Sequence, residues 1–209
     1  MEISIEIRAA AVIKVTVKRY NPDTNMWQEV PALSYPRSSA CAVADGRHLY
    51  AIGGNSESGY LDVVERYDPK EKAWQTAAST LERRMGAGGA AVSQRLYVFG
   101  GLHSEDDSDS NVCEMYDPIT DVWSSVTIPL CTVFPGKSTV SVASFRRKIS
   151  VCHVFDQDDP QRKKLLQVYD TVTSEWKTCS NICQSSLKRL TISRLRIPRK
   201  VWDICEVLS

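Results

Sequence analysis

"RLYVFGG", residues 95–101, repeats "HLYAIGG", residues 48–54, at a distance of 47 positions, and each stretch precedes a Tyr-Asp pair and then a single Trp. The Tyr-to-Trp frame occurs four times with the same internal step: Tyr20/Trp27 in "YNPDTNMW", Tyr67/Trp74 in "YDPKEKAW", Tyr116/Trp123 in "YDPITDVW" and Tyr169/Trp176 in "YDTVTSEW". Successive Trp residues stand 47, 49 and 53 positions apart. Recurrence at so even a spacing marks a repeat architecture, so the fold is read one unit at a time.

Each unit reads as β structure. A β-rich run ends at Tyr, and Asn/Asp-Pro or Asp-Thr turns the chain through proline's fixed φ and the Asx side chain. The next strand carries the Trp, which predicts a β-hairpin with large apolar area on both arms. Upstream, "ACAVADGRHLYAIGG" and "GAAVSQRLYVFGG" predict another hairpin, turning at Asp45-Gly46 and at Ser93-Gln94. The pairs Gly53-Gly54 and Gly100-Gly101 are expected to end a strand where another backbone comes too close for a side chain.

A unit of about four short strands and about 50 residues, repeated, is the pattern of a β-propeller blade. Gly53-Gly54, Tyr67-Asp68 and Trp74, and again Gly100-Gly101, Tyr116-Asp117 and Trp123, resemble the kelch motif in order and spacing. The resemblance covers roughly residues 15–178 and implies an all-β, kelch-type β-propeller. It is partial, with about three to four blades of four antiparallel strands. In kelch blades the double Gly ends the second strand, Tyr lies in the third and Trp in the fourth.

The expected division has residues 1–19 as a partial first blade or ring-closing strand, with alternating Ile3, Ile5 and Ile7. Residues 20–178 hold the repeats, in units ending at Trp27, Trp74, Trp123 and Trp176, and 179–209 form a divergent tail or last strands. The first unit has no double Gly, and in the last unit that position aligns with His153-Val154. Kelch propellers have about six blades as a rule, within the range that propellers adopt. The chain therefore reads as a fragment or isoform of a longer protein, or as a small ring with divergent end blades.

Propellers bind through the loops at one end. The stretches "SYPRSSACAV", "LERRMGAGGAAV" and "FPGKSTVSVAS" lead into successive units and bring Arg37, Arg84 and Lys137 into register beside Ser38, Ser39 and Ser138. A ring of cations next to hydroxyls suits an acidic peptide, because guanidinium grips carboxylate through a forked pair of hydrogen bonds. The competing reading pairs these arginines with acidic loops of the same chain. On the first reading, Arg37→Ala with Arg84→Ala abolishes partner capture and leaves the melting temperature nearly unchanged. The loops after the double Gly, "NSESGYLD", "LHSEDDSDSN" and "DQDDPQRKKL", vary in length and sequence as binding loops do, and add Asn55, Ser56, Tyr60 and His103. In kelch adaptors the matching loops dock peptide substrates, and the resemblance implies that use here.

Other chemistries find little support. Net charge is +1 with a pI near 7.6, which gives no bulk attraction to nucleic acid or to an anionic membrane. No apolar run reaches the roughly 18–20 residues of a membrane span. The seven Cys are scattered without a CxxC pair, as reduced thiols are. A cytoplasmic protein is expected, with the nucleus also open to it. Cys179 and Cys183 lack a second ligand pair, and Glu105, Asp106, Asp107 and Asp109 lack EF-hand spacing and read as a solvated loop, so no metal is expected.

Some kelch-type propellers are copper oxidases, but His48, His103 and His153 fall at different positions within the repeat. No G-x-S-x-G, H-E-x-x-H, P-loop or G-x-G-x-x-G occurs, so neither an enzyme nor a cofactor is expected. Residues 187–200 alternate basic with apolar side chains, the pattern of a strand with one wet face or of a localisation or nucleic-acid patch, and the strand reading is preferred. By resemblance, the leading role is that of kelch-like proteins with BTB and BACK domains. They recruit substrates to cullin-RING ubiquitin ligases, and the propeller selects the substrate. No segment here looks like a BTB domain, so a cullin would be reached only through one outside this chain. The runner-up role is an actin-binding or cytoskeletal kelch protein.

Overall fold

In every repeat the Tyr and Trp are direct partners across an antiparallel hairpin: Tyr20 with Trp27, Tyr67 with Trp74, Tyr116 with Trp123 and Tyr169 with Trp176. The computed structural model describes residues 17–21, 24–103, 108–109, 112–126, 138–155 and 165–179. Lys137, the acidic residues 105–107, residues 1–16 of the segment 1–19 and the basic tail lie outside the described residues.

The described residues form strands and no helix, in the order β1 (Val17–Asn21), β2 (Met26–Val30), β3 (Cys41–Ala44), β4 (Leu49–Ile52), β5 (Asn55–Ser56), β6 (Gly59–Tyr60), β7 (Val64–Asp68), β8 (Ala73–Ala77), β9 (Gly88–Val92), β10 (Arg95–Phe99), β11 (Leu102–His103), β12 (Ser108–Asp109), β13 (Cys113–Asp117), β14 (Val122–Val126), β15 (Ser138–Phe145), β16 (Lys148–Phe155), β17 (Leu165–Asp170) and β18 (Glu175–Cys179). Three antiparallel sheets have four strands each: β3-β4-β7-β8, β9-β10-β13-β14 and β15-β16-β17-β18. β1-β2 is a two-stranded sheet, and β5-β6 and β11-β12 are small hairpins inside the second-to-third-strand loops. This is the partial kelch propeller that the sequence predicts, with double Gly after the second strand, Tyr in the third and Trp in the fourth.

The core lies between sheets. Cys41, Val43, Tyr50, Ile52 and Val64 of one sheet pack with Leu96, Val98, Tyr116 and Trp123 of the next. Ala90, Val92, Tyr97, Phe99 and Cys113 pack in turn with Val140, Ile149, Val151 and Tyr169. Large side chains of this kind contribute about 1.5–3 kcal/mol each when fully buried. The Trp serves both its own sheet and the one before. Trp123 stacks on Tyr116 with ring centroids 4.9 Å apart while its Nε1 donates to the Ala78 carbonyl, and Trp74 Nε1 donates likewise to the Pro31 carbonyl.

Turn chemistry follows the prediction. Asp68, Asp117 and Asp170 each accept, through Oδ1, the backbone N–H two residues on. The turns end on Asn25, Lys72, Asp121 and Ser174, all left-handed at φ 53–58° and all two residues before a Trp. Asp121 adds a latch: its Oδ1 accepts from the Tyr116 hydroxyl at 2.5 Å and from the Ala78 N–H at 2.9 Å, and these bonds hold its carboxyl below the usual carboxylate range. Position 31, the counterpart of Ala78, is proline, which has no N–H to offer, and Lys72 stands where Asp121 does.

The double glycines are demanded by close approach. A Cβ on Gly53 (φ +62°) would lie 2.5 Å from the Arg84 carbonyl of the following sheet, and one on Gly54 (φ +105°) would lie 2.7 Å from the Ser38 carbonyl. Where His153-Val154 replaces the pair, the second strand does not stop. β16 runs on to Phe155, pairing Thr139 with Val154 and Ser138 with Phe155.

Candidate functional site

In an antiparallel four-stranded sheet, the loop between strands two and three and the loop leaving strand four lie at the same end. Here backbone hydrogen bonds sew those loops together. Ser38 and Asn55 exchange N–H···O bonds of 2.8 Å each, and Met85 and Leu102 exchange bonds of 3.0 and 2.9 Å. Between neighbouring sheets, the Gly54 N–H donates to the Arg84 carbonyl at 2.8 Å and the Gly86 N–H to the Ser39 carbonyl at 2.9 Å.

Beneath the seam lies a buried polar clamp that occurs twice. Arg37, 2% exposed, donates from Nη1 to the Gly53 and Val63 carbonyls at 3.0 and 2.7 Å, and from Nη2 to Glu65 Oε2 at 2.7 Å. The Glu65 carboxylate also accepts the Ser34 N–H at 2.7 Å. In the next sheet Arg84 donates to the Gly100 and Val112 carbonyls at 3.0 and 3.2 Å and to Glu114, which accepts the Leu81 N–H at 2.6 Å. Burial pulls the Arg37 pKa down from its ordinary value, and Glu65 opposes that shift.

The expected ring of free cations is therefore corrected at both arginines. Each guanidinium is engaged inside the chain, chiefly by a glutamate on the third strand, and Arg84 also lies 3.7 Å from the loop residue Glu82. A buried charge needs such a partner, and a forked guanidinium satisfies a carboxylate and two carbonyls at once. The expectation that Arg37→Ala with Arg84→Ala leaves the melting temperature unchanged falls with it.

The remaining candidates divide. Ser38 and Asn55 are brought together, half-buried, through their backbones, while Ser39 is exposed at φ +52°. Ser56 is half-buried in its small hairpin, its hydroxyl donating to the Gly59 carbonyl at 3.1 Å. Tyr60 and His103 are half-buried, and Ser138 begins β15.

Residue-by-residue reading missed three things. Glu65 and Glu114 both stand two residues before the repeat Tyr, with Gln167 in that position in the third sheet, so the frame itself carried the signal. The solvent-exposed cation of these loops is Arg83, 69% exposed and paired at 3.7 Å with Asp62. In "LERRMG" it stands one position out of the register that singles out Arg84. Tyr35 and Leu81, 47% and 58% exposed, are the large apolar groups of the same loops.

The loop end presents exposed aromatic, aliphatic and cationic side chains on a backbone fixed from below. Among the described residues no three of His, Cys, Asp and Glu come together to hold a metal. Burial raises the Cys113 thiol far above its ordinary value, so it is not a thiolate at neutral pH. A family model described as the KLHDC2/KLHL20/DRC7 Kelch-repeats domain matches residues 9–201, nearly the whole chain. With the paired Tyr–Trp hairpins, the double-Gly seams and the sheet order in agreement, the chain belongs to the kelch-repeat family, whose domains are in general protein-interaction modules and not enzymes.

Proposed function

We propose that this chain is the substrate-recognition propeller of a kelch-like adaptor for a cullin-RING ubiquitin ligase. It acts in the cytoplasm and reaches the cullin through a BTB domain outside this chain. The observation that supports the reading is the division of labour at the loop end. Arg37–Glu65 and Arg84–Glu114 fix the loop backbones from within, and Tyr35, Leu81 and Arg83 stay open to solvent. Tyr and Arg dominate the energetics of protein interfaces, and a preset backbone lowers the ordering cost of binding. The acidic-peptide contact moves accordingly from the in-register arginines to Arg83.

The test is recovery of the endogenous protein with an antibody to residues 48–101, probing for a cullin, beside the same recovery of a Tyr35→Ser, Arg83→Ala variant. The adaptor reading expects a cullin in both samples and loss of the other co-purifying proteins from the variant alone, at an unchanged melting temperature. Co-sedimentation with actin filaments and no cullin in either sample overturns it in favour of the cytoskeletal reading.

A further inference from the structure

The end of the sheets opposite the loop seam consists of the turns between strands one and two and between strands three and four. In the sheet β3-β4-β7-β8, residues 44–49 and 67–75 carry three cations (Arg47, Lys70, Lys72) against three carboxylates (Asp45, Asp68, Glu71). The matching residues 91–96 and 116–124 of the next sheet carry Arg95 against Asp117 and Asp121. Residues 144–149 and 169–177 of the third sheet carry four (Arg146, Arg147, Lys148, Lys177) against Asp170 and Glu175. Net charge at the three tips therefore runs from zero to −1 to +2.

The third tip also departs from the others in shape. Its β15-to-β16 turn is Phe145-Arg146-Arg147-Lys148, all exposed, with Phe145 at 53% and Val172 of the neighbouring turn at 60%. The two turns are bound into one surface, since the Thr171 N–H and hydroxyl both donate to the Arg147 carbonyl, at 3.0 and 2.8 Å. Arg146 sits over the Phe145 ring, 5.3 Å from its centroid. Its backbone is left-handed, φ +56°, where glycine is favoured. Asp170 is already engaged, accepting the Val172 N–H at 3.0 Å and lying 3.8 Å from Lys148 Nζ. Among the described residues no carboxylate lies within ion-pair distance of Arg146 or Arg147.

We infer that this tip, Phe145 to Lys148 with Val172, is a second docking surface, fitted to a short acidic protein segment that carries one apolar side chain. Two exposed guanidinium groups, without a carboxylate partner among the described residues, offer forked donors to carboxylates, and the ring beside them offers a place for an aliphatic or aromatic group. The size of the patch selects this partner over other polyanions. A nucleic acid needs a cationic stripe, and a membrane would press on the whole end of the sheets. There the adjoining tip is net negative through Asp117 and Asp121. The surface is separate from the loop end and stands without that reading.

The test measures fluorescence anisotropy of a fluorescein-labelled Glu-Asp-Glu-Phe-Asp-Glu peptide with the full chain, at low and at physiological salt. Wild type is expected to bind saturably and more weakly as salt rises. Arg146→Gly with Arg147→Ser should weaken binding about tenfold, the order expected for two partly solvated ion pairs. Glycine suits the backbone at position 146, so this variant should melt no lower than wild type, separating binding from folding. Phe145→Ser should weaken binding of this peptide but not of its Phe-to-Ser counterpart. Equal binding by wild type and the double variant overturns the proposal. So does binding to phosphatidylserine vesicles or a duplex oligonucleotide without binding to the peptide.

Discussion

Arg84→Met is the perturbation that the buried clamp makes most informative. Methionine keeps much of the apolar stem and removes the guanidinium, which is 1% exposed and holds the Gly100 and Val112 carbonyls as well as Glu114. What remains is a Glu114 carboxylate, fully buried, with the Leu81 and Glu82 N–H groups as its donors among the described residues. Removing one partner of a buried pair costs about 3–5 kcal/mol, because the other charge is left uncompensated. For a chain of this size each kcal/mol lowers Tm by roughly 2–4 °C, so a fall of about 10 °C is expected. The assay is urea denaturation followed by the fluorescence of the five Trp, with Arg84→Met, Glu114→Leu and the double variant as a cycle. The double variant should cost less than the two singles together by about 2 kcal/mol, since it removes both charges at once. A cost for Arg84→Met below about 1 kcal/mol, or strict additivity, would falsify the clamp and return Arg84 to the role of a surface cation.

Two further outcomes follow from the same packing. Gly54→Ala should destabilise by about 2 kcal/mol or more, its Cβ meeting the Ser38 carbonyl at 2.7 Å. Gly46→Ala, at φ +87° with nothing within 4 Å, should cost only the backbone strain of about 1–2 kcal/mol, and thermal melts that rank the two the other way would refute the close-approach account. In alkali, burial raises the pKa values of Tyr50, Tyr97 and Tyr116, with Asp45 adding to the effect at Tyr50 and Asp121 at Tyr116. A phenol held neutral in this way contributes stability that is fully present below its unfolded value near 10 and is lost as pH rises through the raised value. Absorbance at 295 nm should therefore show these phenols ionising together with the loss of Trp signal, and ionisation of all eight tyrosines near pH 10 with the fold intact would contradict it.

The fold was legible because its determinants are local and repeated. Tyr, an Asx turn and Trp set a hairpin within eight residues, and the double Gly reports a contact that glycine alone tolerates. The candidate site was legible only in position. Register correctly brings Arg37 and Arg84 to equivalent places, but equivalence alone does not separate a shared ligand from a shared contact within the chain. A residue that recurs in step with a scaffold is placed by the scaffold's own contacts, here with Glu65 and Glu114, two residues before the repeat Tyr in each case. The groups that break step are the ones left exposed: Arg83 beside Arg84, Tyr35 in one loop and Leu81 in the other. No single-residue rule marks them, because exposure depends on sheets brought together from distant parts of the chain.

The clamp also accounts for how a repeated fold can carry a face that is not repeated. The hydrogen bonds that the N–H groups of Ser38, Asn55, Gly54, Gly86, Met85 and Leu102 donate run from backbone to backbone, and the guanidinium groups grip carbonyls, so the loop path depends little on the side chains that project from it. Substitution at the exposed Tyr35 or Arg83 should therefore cost little stability, whereas substitution at Glu65 or Glu114 moves the surface itself. The third sheet shows what the scaffold does without these devices. With Gln167 in the glutamate position and His153-Val154 for the double Gly, β15 and β16 continue as plain paired strands to Phe155. The double Gly is thus what turns the chain out of the sheet and into the loop seam, and the arginine clamp is what holds it there.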